Sequence, residues 1–76
     1  MSGIGDKIRE RRIELDMTQE ELASLMGYKS KSSINKIELG LSDIPQSKIK
    51  KFADVLGTTP SYLMGWIDII KNDTPE

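Results

Sequence analysis

The chain has 76 residues, a net charge of −1 and neither cysteine nor histidine. A chain of this length forms one small domain that buries only about 60–65% of its unfolded surface. The missing residue types exclude disulfides, the usual zinc sites, a thiol nucleophile and the commonest general base. No stretch suits a signal peptide or a membrane span. The composition therefore predicts a cytoplasmic protein that is not an enzyme, with no metal, no cofactor and no membrane partner.

Positive charge is concentrated in the middle third of the chain. Residues 28–51 hold six lysines, and their only acids are Glu38 and Asp43. Residues 1–27 hold four bases and six acids, and residues 52–76 hold one base and four acids. Binding to phosphates requires a local positive face and not a basic total. The middle third is the part predicted to face nucleic acid.

The first predicted helix runs from Ile4 to Leu15. Apolar residues recur at spacings of three and four here and along the whole chain, which predicts an all-α fold. Its buried stripe is expected to contain Ile4, Ile8 and Leu15, and Arg12 completes the stripe. An arginine at such a position is costly unless an acidic side chain meets it.

A second helix is predicted to begin at Thr18. Thr18 and Glu21 have the spacing of a capping box, in which each side chain satisfies a backbone N–H of the other residue. Its core face is expected to be Leu22, Leu25 and Met26. Gly27 suits the left-handed conformation that ends many helices. Only about three residues then precede the next helix, which is typical of a helix-turn-helix.

The third helix is predicted over about residues 31–39. Its inner face is expected to hold Ile34 and Ile37 and to continue to Leu41. Its outer face carries Lys31, Ser32, Asn35 and Lys36. A surface helix that is merely solvated usually includes acids, but this face has none. Short or flexible hydrogen-bonding side chains of this kind suit a DNA major groove.

Two further helices are predicted after a loop that closes at Pro45. The fourth spans about residues 46–56, with apolar residues at i, i+3, i+4 and i+7 from Ile49. Thr59 caps a fifth helix, whose first residue is a proline. The domain is assigned to residues 1–70, followed by a frayed tail over 71–76.

The stretches TQEELASLMG, SSINKIELG and FADVLGTTPSYLMGW occur in this order, with a turn after the first. In this respect the chain resembles the lambda-repressor-like helix-turn-helix regulators (Cro and CI, XRE-type) from Ile4 to Trp66. The resemblance implies a compact five-helix domain with its helix-turn-helix at helices two and three. It also implies an ion pair between Arg12 and Glu38, which would supply the acidic partner that an arginine on the apolar stripe requires. The alternative for Arg12 is an exposed side chain that snorkels to solvent.

The resemblance also implies the DNA contacts. Between Gly27 and Ile34 the chain has one residue more than the usual family spacing, so the positions are counted back from Ile34. The predicted base-reading residues are Ser30, Lys31, Ser32, Asn35 and Lys36. The predicted phosphate-binding residues are Thr18, Gln19, Lys29, Ser33, Gln46, Ser47 and Lys48. Lysines could equally bind phosphate, which carries no sequence information, and Gln19 could be an ordinary exposed residue at the positive end of a helix.

A single recognition helix reads only a few base pairs, and family members dimerise to read more. The candidate dimer interface is Met64, Trp66, Ile67 and Ile70, since a small monomer rarely leaves so much apolar surface exposed. The alternative is that Trp66 and Ile67 complete the core of the monomer. The predicted function is a sequence-specific regulator of transcription that binds double-stranded DNA. Its expected type is a phage or prophage repressor that acts on a palindromic operator at the bacterial nucleoid, with no small-molecule effector evident.

Two other function classes compete with this prediction. The same fold also serves in antitoxins and other protein-interaction modules, for which the apolar C-terminal surface would hold the partner. An enzyme is disfavoured because the chain has no glycine-rich phosphate loop and no clustered carboxylates. Many relatives continue past a similar LMGW stretch into a linker and a self-cleaving peptidase domain. The chain is accordingly expected to be either a complete small regulator or the N-terminal domain of a longer one.

Overall fold

The computed structural model describes residues 3–64, and these residues form five α-helices with no strand among them. The helices are α1 (Ile4–Glu14), α2 (Gln19–Met26), α3 (Lys31–Glu38), α4 (Gln46–Val55) and α5 (Pro60–Leu63). The all-α, five-helix prediction is confirmed. The predicted bounds of the first, third and fourth helices and the predicted starts of the second and fifth lie within one residue of those observed. None of the helices in the described range is long and apolar enough to cross a membrane.

The start and end of α2 follow directly from the local sequence. Thr18 Oγ1 accepts a hydrogen bond of 3.0 Å from the backbone N–H of Glu21, and Glu21 Oε1 accepts one of 2.8 Å from the backbone N–H of Thr18. This is the predicted capping box. Gly27 ends the helix with a φ of +84°, a conformation that costs glycine little. Ser30 then caps α3 by accepting a 3.3 Å hydrogen bond from the backbone N–H of Ser32.

One hydrophobic core joins all five helices. α3 packs against α1 and α2, α4 packs against α2 and α5, and α5 also contacts α1. The buried apolar residues of the core are Ile8, Leu22, Ala23, Met26, Ile34, Ile37, Phe52, Ala53, Leu56 and Leu63. Because α3 contacts two helices on its inner side, its outer side is left to solvent.

The crossing of α1 over α3 depends on a glycine. A Cβ atom on Gly5 would collide with the backbone oxygen of Ile37 and would lie 3.1 Å from the backbone oxygen of Glu38. Contacts this short are not tolerated between a side chain and a backbone carbonyl. Gly5 therefore lets the backbones of α1 and α3 approach each other closely.

Arg11 joins α1 to the end of α4. Its Nε donates a 2.7 Å hydrogen bond to the backbone oxygen of Leu56, and its Nη2 donates one of 3.4 Å to that of Gly57. Carbonyl groups at a helix C-terminus have no partner within the helix and carry partial negative charge. The guanidinium supplies both a donor and a positive charge.

Three leucines predicted to be buried are exposed. Leu15 is 40% exposed, Leu25 is 54% exposed and Leu41 is 73% exposed. Leu15 and Leu41 lie beyond the last residues of their helices, so the helical periodicity does not extend to them. Leu25 lies at the edge of the inner face of α2, where the small side chain of Ala23 is buried instead. The prediction was wrong at these three positions.

Candidate nucleic-acid interface

The two sides of α3 have different surroundings. Ile34 and Ile37 are buried in the core. The residues that the sequence predicts to read bases are all exposed: Ser30, Lys31, Ser32, Asn35 and Lys36. Within residues 3–64, the side chains of Lys31 and Lys36 form neither a hydrogen bond nor an ion pair. The outer side of α3 therefore carries two unpaired positive charges among small polar groups.

The single acidic residue of α3 is removed from this outer side. The side chain of Glu38 is only 2% exposed and that of Arg12 is 13% exposed, and Arg12 Nε lies 2.7 Å from Glu38 Oε2. Arg12 Nη2 donates a second hydrogen bond of 3.2 Å to Glu38 Oε1. Arg12 Nη1 donates a third, of 2.7 Å, to the backbone oxygen of Met17. Arg12 and Glu38, which were expected to pair, thus form a bidentate ion pair. This pair neutralises the negative charge of Glu38 inside the protein.

Gln19 lies between this ion pair and the outer side of α3. Its Nε2 donates a 3.0 Å hydrogen bond to Glu38 Oε1 and one of 3.3 Å to Asn35 Oδ1. An amide nitrogen carries two hydrogens, so both are engaged within the protein. A contact between Gln19 and a phosphate would accordingly come from its backbone N–H at the positive end of α2.

The other predicted phosphate-binding residues flank α3 on two sides. Thr18 and Gln19 line a cleft of about 550 Å³ together with Arg12 and Lys31. Ser33 and Lys48 line a second cleft, of about 500 Å³, between α3 and the start of α4. Lys29, Gln46 and Ser47 are exposed. The predicted residues thus surround α3 on both sides.

Lys48 is held in place by an aromatic ring. Its Nζ lies 4.8 Å from the centroid of the Tyr28 ring, which is within the range of a cation–π interaction. The Tyr28 ring in turn lies 6.4 Å from the ring of Phe52, which is completely buried. The ammonium group is thereby restrained beside the cleft that Lys48 lines, and Asp43 lines the same cleft.

Two residues with a part in this surface were not predicted from the sequence. Arg9 is exposed and lines a cleft of about 430 Å³ with Gln19 and Asn35. Its position three residues before Arg12, one helical turn away, is the signal that could have identified it. Tyr28 was also missed, because nothing in the sequence pairs it with a lysine twenty positions later.

The predicted dimer interface falls mostly outside the described residues. Met64 is described and is 44% exposed. Trp66, Ile67 and Ile70 lie outside the described residues. The interface therefore stays a prediction.

Comparison with known proteins identifies the family. The model of the helix-turn-helix family HTH_3 matches residues 8–63. The P22 c2 repressor in complex with synthetic operator 9T is 24% identical, with a TM-score of 0.78 over 87% of this chain and 98% of that chain. The restriction-modification controller protein C.AhdI from Aeromonas hydrophila is 31% identical, with a TM-score of 0.74 over 80% of this chain and 91% of that chain.

A third similar structure belongs to a much longer protein. Hydroxypropylphosphonic acid epoxidase from S. wedmorenis is 27% identical over 82% of this chain, with a TM-score of 0.76. The match covers only 32% of the epoxidase, so the present chain corresponds to about a third of it. No curated protein matches the chain. From the family match and the controller protein together, the chain belongs to the XRE-type, lambda-repressor-like helix-turn-helix family of DNA-binding transcriptional regulators.

Proposed function

We propose that the protein is a repressor of the phage or prophage type that binds a palindromic operator as a homodimer at the bacterial nucleoid. In this proposal α3 lies in the major groove. The observation that supports it most is the absence of negative charge from the outer side of α3. The only acid of the helix, Glu38, is buried and paired with Arg12, so only positive charge and small uncharged polar groups remain to face the DNA.

The exposed side chains of α3 suit the edges of base pairs. Lys31 and Lys36 can donate to O6 and N7 of guanine, and the hydroxyls of Ser30 and Ser32 can donate or accept. Eight residues in α3 correspond to a length of about 12 Å, or roughly three to four base pairs of DNA. One copy of the helix would therefore read a short half-site.

Phosphate contacts on either side would fix the position of α3 in the groove. On one side we propose Thr18 and the backbone N–H of Gln19. On the other side we propose Lys29, Ser33, Gln46, Ser47 and Lys48. Contacts of this kind determine orientation and affinity but carry no sequence information. Lys48 suits the role because Tyr28 already restrains its ammonium group.

A second copy of the chain would supply the second half-site. A two-fold dimer places half-sites about one helical turn (~34 Å) apart. Met64, which is 44% exposed, adjoins Trp66, Ile67 and Ile70 in the sequence, and we propose these four residues as the interface within a domain of residues 1–70. The P22 c2 repressor, which has a similar fold, was solved in complex with a synthetic operator.

In vitro selection from random duplex DNA tests the proposal as a whole. It should be run with the purified 76-residue protein at about 100 mM salt, because affinity for phosphates depends steeply on salt. We expect a palindrome whose half-site centres lie about one helical turn apart. Recovery of no motif, with weak retention that salt abolishes, would contradict the proposal and would favour the interaction-module alternative.

A substitution at Lys31 tests the reading of bases by α3. Lys31→Ala should relax the preference at one operator position, because a lost base contact costs roughly 1–3 kcal/mol of discrimination. Lys51→Ala is the matched control, since Lys51 is exposed on α4 and has no predicted DNA contact. If Lys31→Ala weakens binding to all sequences equally and lowers the salt slope by about one, Lys31 binds phosphate instead.

Sedimentation tests the dimer separately. The wild-type protein should associate at micromolar concentration, and Trp66→Ala should weaken both the association and the operator affinity. Leu25→Ala is the control, because Leu25 is an exposed apolar side chain of α2 that is not part of the proposed interface. If the wild-type protein and Trp66→Ala are both monomeric and bind the operator with equal affinity, this interface is ruled out.

A further inference from the structure

A chain of hydrogen bonds leads from the buried ion pair to the outer side of α3. Arg12 can only donate hydrogen bonds, and an ionised carboxylate can only accept them. Both oxygens of Glu38 accept from Arg12, at 2.7 Å and 3.2 Å. The first link in the chain therefore has a fixed direction.

The direction of the Gln19 amide follows from the first link. Its Nε2 lies 3.0 Å from Glu38 Oε1. The reverse orientation would place the amide oxygen of Gln19 against the carboxylate of Glu38, with two acceptors and no hydrogen between them. Because Glu38 is buried and charged, that arrangement is strongly disfavoured. The NH₂ group of Gln19 must face inward.

The same nitrogen determines the orientation of Asn35. Gln19 Nε2 lies 3.3 Å from Asn35 Oδ1. Only the oxygen of Asn35 can accept from this donor, so the NH₂ group of Asn35 is turned away from Gln19. Asn35 is exposed, and both hydrogens of its NH₂ group remain able to meet a ligand.

We infer that Gln19 is a positioning residue that fixes the direction of the Asn35 amide, so that Asn35 offers hydrogen-bond donors to a base edge. The reading of a base by Asn35 rests on the proposed function, since it requires α3 in the major groove. The orientation of the Asn35 amide does not depend on the proposed function. In this orientation the NH₂ group of Asn35 donates to base-edge acceptors, which are N7 of either purine, O6 of guanine and O4 of thymine.

The first experiment measures the orientation in the free protein, without DNA. The probe is the ¹⁵N order parameter of the Asn35 side-chain amide, compared between wild type, Gln19→Met and Gln19→Lys. Met has a similar length but cannot donate, whereas Lys retains a donor. We expect the order parameter to fall to flexible values, below about 0.6, in Gln19→Met and to stay high in Gln19→Lys. An unchanged value in Gln19→Met would overturn the inference. Thermal unfolding of each variant verifies that it is folded.

The second experiment measures affinity for operators that carry each of the four base pairs at the position opposite Asn35. Wild type should bind worst to cytosine, whose major-groove edge offers a donor and no acceptor, and Gln19→Met should reduce this discrimination about tenfold. Gln19→Lys should retain it. Gln46→Met is the matched control, because this glutamine begins α4 and is proposed to bind phosphate, so its loss should weaken all operators equally. If Gln19→Met has the same uniform effect, Gln19 acts on phosphate alone and the inference is wrong.

A substitution at Asn35 keeps the test decisive where a Gln19 variant fails to fold. In Asn35→Asp, both atoms at the end of the side chain are acceptors, so the preference should change to bases that donate, such as cytosine through N4. A wild-type preference for cytosine at this position would contradict the inference. The absence of any sequence preference would instead contradict the proposed function, and the order parameters would still decide whether Gln19 orients Asn35.

Discussion

Two neighbouring arginines of α1 anchor this helix to different parts of the protein. Arg12 pairs with Glu38 of α3, where the two side chains are 13% and 2% exposed. Arg11 donates to the backbone oxygens of Leu56 and Gly57 at the end of α4, and its own side chain is 29% exposed. The first contact joins two full charges in the interior. The second joins a charge to dipoles near the surface.

This difference determines how much each contact matters to the protein. A buried ion pair contributes little net stability relative to an apolar pair, but removing one partner leaves the other charge buried and uncompensated. A partly exposed arginine at a helix terminus can be replaced by water at a smaller cost. We therefore expect the α1–α3 contact to be intolerant of single changes, and the contact with the end of α4 to tolerate them.

The largest expected effect is that of Arg12→Met. The change leaves the carboxylate of Glu38 buried without its cation, which should lower the free energy of unfolding by about 3–5 kcal/mol. Chemical denaturation measures this directly. The double variant with Glu38→Leu should recover most of the loss, because it removes the stranded charge. If the double variant is as unstable as Arg12→Met, the loss comes from packing and not from the unpaired charge.

The next effect tests the close approach of the helices beside this ion pair. Gly5→Ala should lower the free energy of unfolding by about 1–3 kcal/mol, because the new methyl group meets the backbone oxygen of Ile37. Gly3→Ala is the control, since a Cβ there has no neighbour within 4 Å. Equal stability of the two variants in thermal unfolding would show that α1 and α3 separate without cost.

The smallest effect is expected at the other arginine. Arg11→Met should lower the free energy of unfolding by about 1 kcal/mol, because water partly replaces its two hydrogen bonds to backbone oxygens and its exposed ion pair with Glu14 contributes little. Arg9→Met, which changes an exposed side chain of the same helix, should have an effect within about 0.5 kcal/mol of zero. A loss at Arg11 as large as that at Arg12 would remove the proposed distinction between the two contacts.

Much of the fold could be predicted because its signals are local. The capping box at Thr18, the glycine at the end of α2 and the periodicity of α3 each depend on residues within one or two turns of helix. The periodicity misled where it was extended beyond a helix end, as for Leu15 and Leu41, and at Leu25 on the edge of the inner face of α2. The need of Arg12 for an acidic partner could be predicted, because an unpaired arginine on an apolar stripe is costly.

The contacts that were missed join residues far apart in the sequence. At these residues no charged side chain lies on an apolar stripe, so nothing indicated that a partner was needed. Arg11 reaches the end of α4, 45 residues away, and nothing about an arginine on a solvent-facing position indicates that target. Gln19 reaches Asn35 across 16 residues because α2 packs against α3. The sequence alone does not reveal this crossing, nor the close contact of α1 with α3 at Gly5.

The absence of protein partners for Lys31 and Lys36 within residues 3–64 has a consequence for changing the target of this protein by design. These side chains do not contribute polar contacts to the fold, so replacing them should cost little stability. Asn35 differs, because its oxygen is bound by Gln19, and a new residue there would have to suit that neighbour as well as the new DNA. A library for altered operator preference should therefore vary the two lysines freely and vary Asn35 only together with Gln19.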